Sequence, residues 1–306
     1  MAAGRPIAVV AHGGKTLGGG LPELRRRLTG ARRARLLWYE VDKSREAPKA
    51  VRRALRKGAR LIFVWGGDGM VQRCVDALAG RRNVELAIVP AGTGNLLATN
   101  LGIPRDLARA VDIGLHGARR RFDVGRVNGE RFAVMAGTGL DATMIRDADA
   151  AGKKRWGRVA YLRAAVKGMK RRAVRMTVRV DGARWFEGKA TAALLGNVGR
   201  VTGGLAVFPD ASPDDGVLEV GVVTADSVWQ WLRVLSSAAG GRVSRSPFVK
   251  VTRGKKVVVD LARKCPYEID GGLRPSAKRL KVRVKPAAII LRVPTTRAAA
   301  RSRKDF

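Results

Sequence analysis

The chain has 306 residues, enough for one large domain or two ordinary ones, and its 46% hydrophobic content excludes global disorder. Lys and Arg number 61 against 25 Asp and Glu, so the net charge is +36. Internal pairing cannot neutralise that excess, which implies an anionic partner (nucleic acid, an acidic membrane surface or a phosphorylated ligand); the plain alternative for part of it is an Arg- and Ala-rich genome composition spread over solvated helix faces. Cys74 and Cys265 are far apart with no CxxC, and His12 and His116 are the only histidines. A disulfide framework, a cysteine zinc site and a histidine metal cluster are therefore excluded, and reduced thiols in a cytosolic protein are the simplest reading.

Strand-like and helix-like patterns alternate from the start. Ile7–Ala11 reads as a strand, Leu21–Leu28 as a helix and Leu36–Val41 as a strand. Ala47–Lys57 follows as a helix with Ala47, Ala50, Val51, Ala54 and Leu55 on one face. Leu61–Trp65 is a third strand, with a helical stripe after it at Met70, Val71, Cys74, Val75 and Leu78. Leu86–Val89 is a fourth strand, and helical segments follow at Asn95–Leu101 and Asp106–Leu115. This rhythm predicts a parallel sheet covered by helices, a Rossmann-like α/β domain over residues 1–122.

From Arg121 the period changes. Val174, Met176, Val178 and Val180 alternate with Arg175, Thr177 and Arg179, as in a strand with one wet face. Similar runs occur at Thr191–Leu195, Val217–Val223, Val257–Leu261, Leu280–Val284 and Ile289–Val293, with helical interruptions at Val159–Met169 and Val228–Leu235. A mainly antiparallel β-sandwich domain over residues 123–294 is expected, then a basic tail over 295–306. The opening MAAGRPIAVVAHGG lacks the charged segment of a signal peptide, and no apolar run reaches the roughly 20 residues that span a bilayer. Membrane contact is expected to be peripheral.

In an open parallel sheet, ligands bind beyond the carboxyl ends of the strands. Gly66-Gly67-Asp68-Gly69 stands there after the third strand and Gly92-Thr93-Gly94-Asn95 after the fourth. Glycines let backbone N–H groups approach phosphate oxygens, and each following helix aims its positive end at the same place. Asp68 would repel a phosphate unless a divalent cation lay between them. A tight strand-to-helix turn with Asp68 as N-cap is the competing reading. Gly14-Lys15-Thr16 matches the end of a P-loop, but Val9 occupies the position of its first glycine, so a Walker motif is rejected. Lys15 remains a candidate for a nucleotide phosphate or a solvated side chain.

The GGDG loop with its following helix, then Pro90-x-Gly92-Thr93-x-Asn95 after the next strand, resembles the diacylglycerol kinase catalytic family, which includes bacterial lipid kinases and sphingosine kinases. Further matches come in order: RRFDVGRVNGERFAVMAGTGLDA, GNVGRVTGGLAVFPDASPDDGVLEV and YEIDGG. The resemblance implies an α/β domain and a β-sandwich, and transfer of the ATP γ-phosphoryl group to the hydroxyl of diacylglycerol or a related lipid alcohol, with Mg²⁺. It implies that Asp68 and Asp123 belong to the Mg²⁺ and ATP network, and that Gly66, Gly67, Gly69, Gly92, Thr93, Gly94 and Asn95 line the nucleotide. Asp215, with Asp214 beside it, resembles the ligand of a second, structural Mg²⁺. A hairpin turn is the plain alternative for Asp214-Asp215-Gly216, and an ion pair with one of Arg119–Arg121 for Asp123.

Three departures stand out. Met70 replaces the Thr of GGDGT, Arg73 stands in an acidic region of the family, and Ala11-His12-Gly13-Gly14-Lys15 replaces an N-terminal Asn-Pro-x-Ser-Gly. A fourth is more consequential. The family's Asp-Gly-Glu reads Asp270-Gly271-Gly272 here, so the Glu thought to be its general base is missing and Asp270 is the candidate substitute. Expected partners are ATP, a lipid alcohol and an anionic membrane surface on the cytoplasmic side, contacted through Lys153–Arg158, Lys167–Arg172 and the tail; the Trp229, Trp231 and Leu232 region offers apolar insertion, with ordinary core packing the reading for most of it. A homodimer stays open. An NAD kinase-like enzyme and a catalytically weak lipid- or nucleotide-binding protein are the alternatives. Nucleic acid has only the charge behind it, because aromatics are 5% and no recognition motif is present.

Overall fold

A computed structural model describes residues 5–31, 35–139, 173–200, 206–240 and 243–295. The expected helix Val159–Met169 and the basic elements Lys153–Arg158, Lys167–Arg172 and the tail lie outside these residues. The chain divides into two compact units, Met1–Val124 with Ala287–Phe306, and Gly125–Pro286. The expected division at 122 and 294 thus differs at its second boundary, where the last strand returns to the first unit.

The first unit is built on a parallel sheet. Its strands are β1 (Ile7–His12), β2 (Leu36–Val41), β3 (Leu61–Gly66) and β4 (Glu85–Pro90). The order is β2-β1-β3-β4, all parallel, and the end of β14 (Gly272–Val293) adds a fifth parallel strand through Ile290↔Glu85 and Leu291↔Leu86. Every residue of β3 is buried, as expected for a central parallel strand covered on both faces. Helices α1 (Gly20–Ala31), α2 (Ala47–Arg56), α3 (Asp68–Leu78), α4 (Leu96–Asn100) and α5 (Leu107–His116) complete the unit. Pro48 near the start of α2 needs no N–H partner, and Asp106 caps α5 by accepting the Arg109 N–H at 2.7 Å. Gly114 of α5 lets the helix lie on β3 and β4: a Cβ there would fall 2.2 Å from the Phe63 ring and 2.9 Å from Ala87 Cβ.

The second unit is antiparallel. β5 (Ala118–Val127) enters it and pairs with β6 (Glu130–Phe132), and β7 (Met135–Thr138), β8 (Val174–Val180), β9 (Ala183–Ala190), β10 (Ala192–Gly196), β11 (Leu218–Val223), β12 (Val249–Gly254) and β13 (Lys256–Ile269) follow. The order β12-β11-β10-β7-β13-β14 is extended by β8 and β9. β13 pairs with β8 through Val257–Leu261 and with β7 through Tyr267–Ile269, with register shifts between. Those irregularities bend one strand into both sides of the sandwich. The core between them holds Phe132, Met176, Val178, Phe186, Leu195, Leu218, Val259 and Leu280. Helix α6 (Val228–Ala239) is capped by Ser227, and its Trp231 packs with Val223, Val234 and Val249. Two expected short strands, Leu280–Val284 and Ile289–Val293, are parts of the single strand β14.

Candidate active site

The glycine loops at the carboxyl ends of β3 and β4 touch one another. A Cβ on Gly92 would lie 2.3 Å from the Gly67 Cα, and one on Gly67 would lie 3.1 Å from the Gly92 Cα. Gly66 has a different neighbour: its Cβ would meet Met70 Cβ and Cγ at 2.7 Å. The Met70 that departs from the family pattern is buried against the strand end. Gly69 differs from all of these, because its Cβ would make only ordinary contact with Ser44 at 3.6 Å. Packing between the loops therefore explains Gly67 and Gly92, packing against Met70 explains Gly66, and Gly69 is left for another reason.

Asp68 joins the two loops. It is the first residue of α3, whose N-cap is Gly67, so it does not serve as the N-cap. Its Oδ1 instead accepts the Leu96 N–H at 2.6 Å, closing the start of α4 from across the site. Its Oδ2 lies 2.7 Å from where a Gly94 Cβ would be, so only glycine leaves that oxygen its place. Asn95 adopts φ 49° and locks the second loop, donating to the Gly92 carbonyl at 2.7 Å and accepting the Gly92 N–H at 2.9 Å. Burial raises the Asp68 pKa above its ordinary value, against the opposing pull of the backbone N–H groups of Leu96 and Asn95. Among the described residues, no acceptor takes the N–H of Thr93 or Gly94. In the first turn of α3 the Met70 and Val71 N–H groups bond to the Gly67 carbonyl, and among the described residues no acceptor takes the Gly69 N–H. A partly buried carboxylate beside open amide donors suits a cation held together with a phosphate.

The loop after β1 borders β3: Trp65 Nε1 donates to the Lys15 carbonyl at 3.1 Å, and Gly14 N–H donates to His12 Nδ1 at 3.2 Å. The Lys15 side chain is exposed. Asp123 is buried in β5 at 2% exposure, and its Oδ1 accepts the Ala287 N–H at 2.7 Å. That bond anchors a residue held at φ 49° in β14.

In the second unit, Asp214 and Asp215 are exposed in the turn before β11. Asp214 accepts from Ser212 Oγ at 2.7 Å, and Asp215 accepts the Val217 N–H at 3.1 Å, with Gly216 at φ 78°. Nearby Glu219 is buried with Oε1 2.7 Å from Arg253 Nε, close in distance but out of line for a hydrogen bond. Burial raises its pKa, Arg253 opposes, and the charges of Asp215 and Asp210 add to the rise. Composition and spacing could not reveal Glu219, which reads as one more position in a strand. Among the described residues, no three His, Cys, Asp or Glu side chains converge as a metal-binding group.

Asp270 and Gly271, at φ 45° and 77°, form a two-residue hairpin turn between β13 and β14, closed by Ile269↔Gly272. The Asp270 carboxylate accepts N–H groups from Ala133 at 3.0 Å, Val134 at 2.9 Å and Met135 at 2.9 Å. Such a carboxylate holds residues 133–135 in place, with Oδ1 accepting two of the three bonds and Oδ2 one. At Gly272 a Cβ would meet Arg274 Nη1 at 2.8 Å and the Ile269 carbonyl at 3.2 Å. Arg274 is itself fixed by Glu130, with Nε and Nη2 donating at 2.8–3.0 Å.

Comparison with known proteins also divides the chain in two, with the second match extending through residues 287–293 of the first unit. Residues 7–127 match the diacylglycerol kinase catalytic domain, and residues 134–293 match the YegS C-terminal NAD kinase beta sandwich-like domain. The chain belongs to the diacylglycerol kinase family. Among the relatives, the "Diacylglycerol kinase" of Bacillus subtilis is 30% identical over 232 residues, 74% of this chain and 75% of that protein. The "Probable lipid kinase YegS-like" of Pseudomonas aeruginosa is 30% identical over 298 residues, 94% of each chain. The crystal structure of a diacylglycerol kinase from Bacillus anthracis superposes with TM-score 0.74 at 20% identity, covering 94% of this chain and 97% of the other. An NAD kinase from Archaeoglobus fulgidus, solved in complex with ATP, gives 0.52 at 12% identity, covering 97% and 99%. At those identities the structures speak for the fold alone: an α/β domain with a parallel sheet and an antiparallel sandwich, as the family resemblance implied. Among the described residues, no helix is long and apolar enough to cross a membrane.

Proposed function

We propose that this protein is a lipid kinase that transfers the γ-phosphoryl group of ATP, with Mg²⁺, to the hydroxyl of diacylglycerol or a related lipid alcohol. The observation that carries the reading is the junction at Asp68, where one partly buried carboxylate ties together two glycine loops, the second of which leaves the Thr93 and Gly94 N–H groups without an acceptor among the described residues. When bound, ATP supplies the phosphoryl group and leaves as ADP, while Mg²⁺ screens the charge. The chain's own part is positional. Thr93 and Gly94 offer N–H donors to phosphate oxygens, and the 11-residue helix α3 turns its positive end toward them. Gly69, whose side-chain space is free of packing, admits a phosphate to that end. Asp68 fits a cation, because a positive charge offsets the cost of ionising a buried carboxylate. With so few protein carboxylates gathered here, Mg²⁺ would take most of its ligands from phosphate and water, which is its usual habit.

A general base at Asp270 is poorly supported, since its oxygens hold three backbone amides. A loose transition state asks little of a base, so phosphoryl transfer can proceed with solvent receiving the hydroxyl proton. Asp123 acts by anchoring Ala287 in the first unit. We also infer peripheral attachment to anionic lipid. The net charge of +36 supports it, as does Trp229, which is 79% exposed on α6. Trp231 contributes to the core instead.

The test is incubation of the full chain with γ-labelled ATP, Mg²⁺ and vesicles containing diacylglycerol, beside a parallel incubation with NAD. Labelled lipid, absent with Asp68→Ala, is expected. Labelled NADP without labelled lipid would favour the NAD kinase reading, and ATP binding with no labelled product would leave a nucleotide-binding protein.

A further inference from the structure

The parallel sheet has a second end. At the N-terminal ends of β3 and β4, opposite the glycine loops, a recess of about 550 Å³ is lined by Arg52 and Arg56 of α2, Arg60 before β3, and Arg81, Arg82 and Asn83 before β4. No carboxylate is among its lining residues. A six-residue strand spans roughly 17–20 Å, so this place is separate from the Asp68 site.

Several arginines elsewhere in the unit have partners. Arg27 pairs with Glu23 at 2.7 Å, Arg119 and Arg292 share Glu85 at 2.8 and 2.5 Å, and Arg53 lies over the Tyr39 ring. Among the described residues, the guanidinium groups of Arg52, Arg56, Arg81 and Arg82 have no ion pair or hydrogen bond, and Arg60 only donates to the Ala59 carbonyl. Glu85, the acidic residue nearest in sequence, turns both oxygens to Arg119 and Arg292. The carbonyl end of α2 accounts for a cation such as Arg56 in its last turn. It does not account for Arg60, Arg81 and Arg82, which come from loops. Like charges held together repel, and the guanidinium fork matches phosphate oxygens two at a time.

We propose that this recess is a binding site for a phosphate-bearing anion, distinct from the nucleotide loops and independent of the kinase reading. Its shared chemistry is the phosphate group, carried either by a soluble phosphorylated molecule or by an anionic lipid headgroup. With net charge +36, simple attraction must be separated from a site. The experiment therefore measures, by mass spectrometry of the full chain, how fast an arginine-directed dicarbonyl modifies each arginine. The probes are inorganic pyrophosphate and vesicles of phosphatidic acid in phosphatidylcholine, with pure phosphatidylcholine vesicles as blank. At about ten times the dissociation constant, mass action predicts roughly tenfold slower modification at Arg56, Arg81 and Arg82. The exposed Arg5, Arg26 and Arg105 should keep their rates. Protection by pyrophosphate supports the site with a soluble ligand, and protection by the acidic vesicles alone supports it with a lipid headgroup. Equal slowing at the control arginines, or no slowing with either probe, would overturn it. As a second measurement, Arg56→Ala/Arg81→Ala/Arg82→Ala should lose at least about tenfold in affinity for the protecting probe, while Arg5→Ala/Arg26→Ala/Arg105→Ala, with equal charge removed, should not.

Discussion

Gly67 and Gly92, 25 positions apart in the chain, meet backbone to backbone, with no room for a methyl group on Gly92. This contact fixes the spacing of the two loops before any ligand arrives. It predicts that Gly92→Ala, which would place its Cβ 2.3 Å from a main-chain atom, destabilises the fold by about 3 kcal/mol or more. Chemical denaturation measures this, and a variant of wild-type stability would show that the loops are not held in contact.

Gly69→Ala should behave in the opposite way. Its Cβ meets only Ser44 at 3.6 Å, so stability should stay within about 0.5–1 kcal/mol of wild type. ATP affinity should fall at least about tenfold if a phosphate comes against that backbone. Titration calorimetry with ATP and Mg²⁺ decides, and unchanged affinity would place the phosphates elsewhere.

The raised pKa of Asp68 has a definite sign. An unfolded chain ionises this group at the ordinary value near 4, before the folded protein does. Its contribution to stability is complete below that value and is lost as pH rises through the raised folded pKa. Asp68→Asn keeps an oxygen for the Leu96 N–H and has no charge to bury. The variant should melt a few degrees higher at pH 7, lack this pH component and have no kinase activity. Melting curves from pH 3 to 8 for both proteins test it; a variant of lower melting temperature with the wild-type slope would refute it.

Gly272→Glu restores the residue type that the resemblance expects. Its Cβ would displace Arg274 Nη1, the end of a flexible side chain, and press on the Ile269 carbonyl by a few tenths of an ångström. A stability cost of about 1 kcal/mol is expected. If proton acceptance limits turnover, kcat should rise by about tenfold or more at unchanged KM for ATP. An unaltered kcat would mean that the missing base is not limiting.

The two thiols should differ. Cys74 is buried and its thiol pKa is pushed up to about 12, whereas Cys265 is half-buried with Sγ near the Arg263 carbonyl at 3.6 Å. A thiol reagent should label Cys265 in the native protein and reach Cys74 only on unfolding. Rapid labelling of Cys74 would contradict its burial.

The strands of the first unit were readable because a buried parallel strand is a short apolar run between turn residues, and Leu61–Gly66 is one. The change to alternation at Val174–Val180 marked the antiparallel unit equally well. The candidate loops could be located, but the reason for their glycines was only partly accessible. Close approach was correctly inferred, yet for Gly67 and Gly92 the approaching group is the other loop, and that pairing depends on strand order. The competing N-cap reading of Asp68 fails, because Gly67 is the N-cap and the bond that Asp68 does make, to Leu96, spans 28 residues and leaves no local signal. Asp270 reads from sequence as a candidate base. Its bonds to residues 133–135 come from the far end of the unit and leave no local signal. Trp229 and Trp231 sit two positions apart on one helix, and only the packed structure tells which faces outward.

The last strand carries a consequence for biosynthesis. β4 acquires its outer neighbour from Ile290 and Leu291, and Gly80 N–H donates to the Ala288 carbonyl at 2.7 Å. Glu85 likewise waits for Arg292. A nascent chain can therefore form most of β1 to β4 early, but that sheet edge stays open until Ile290 and Leu291 have left the ribosome. A stop codon placed before Ala288 would thus damage a unit whose other strands were translated long before it.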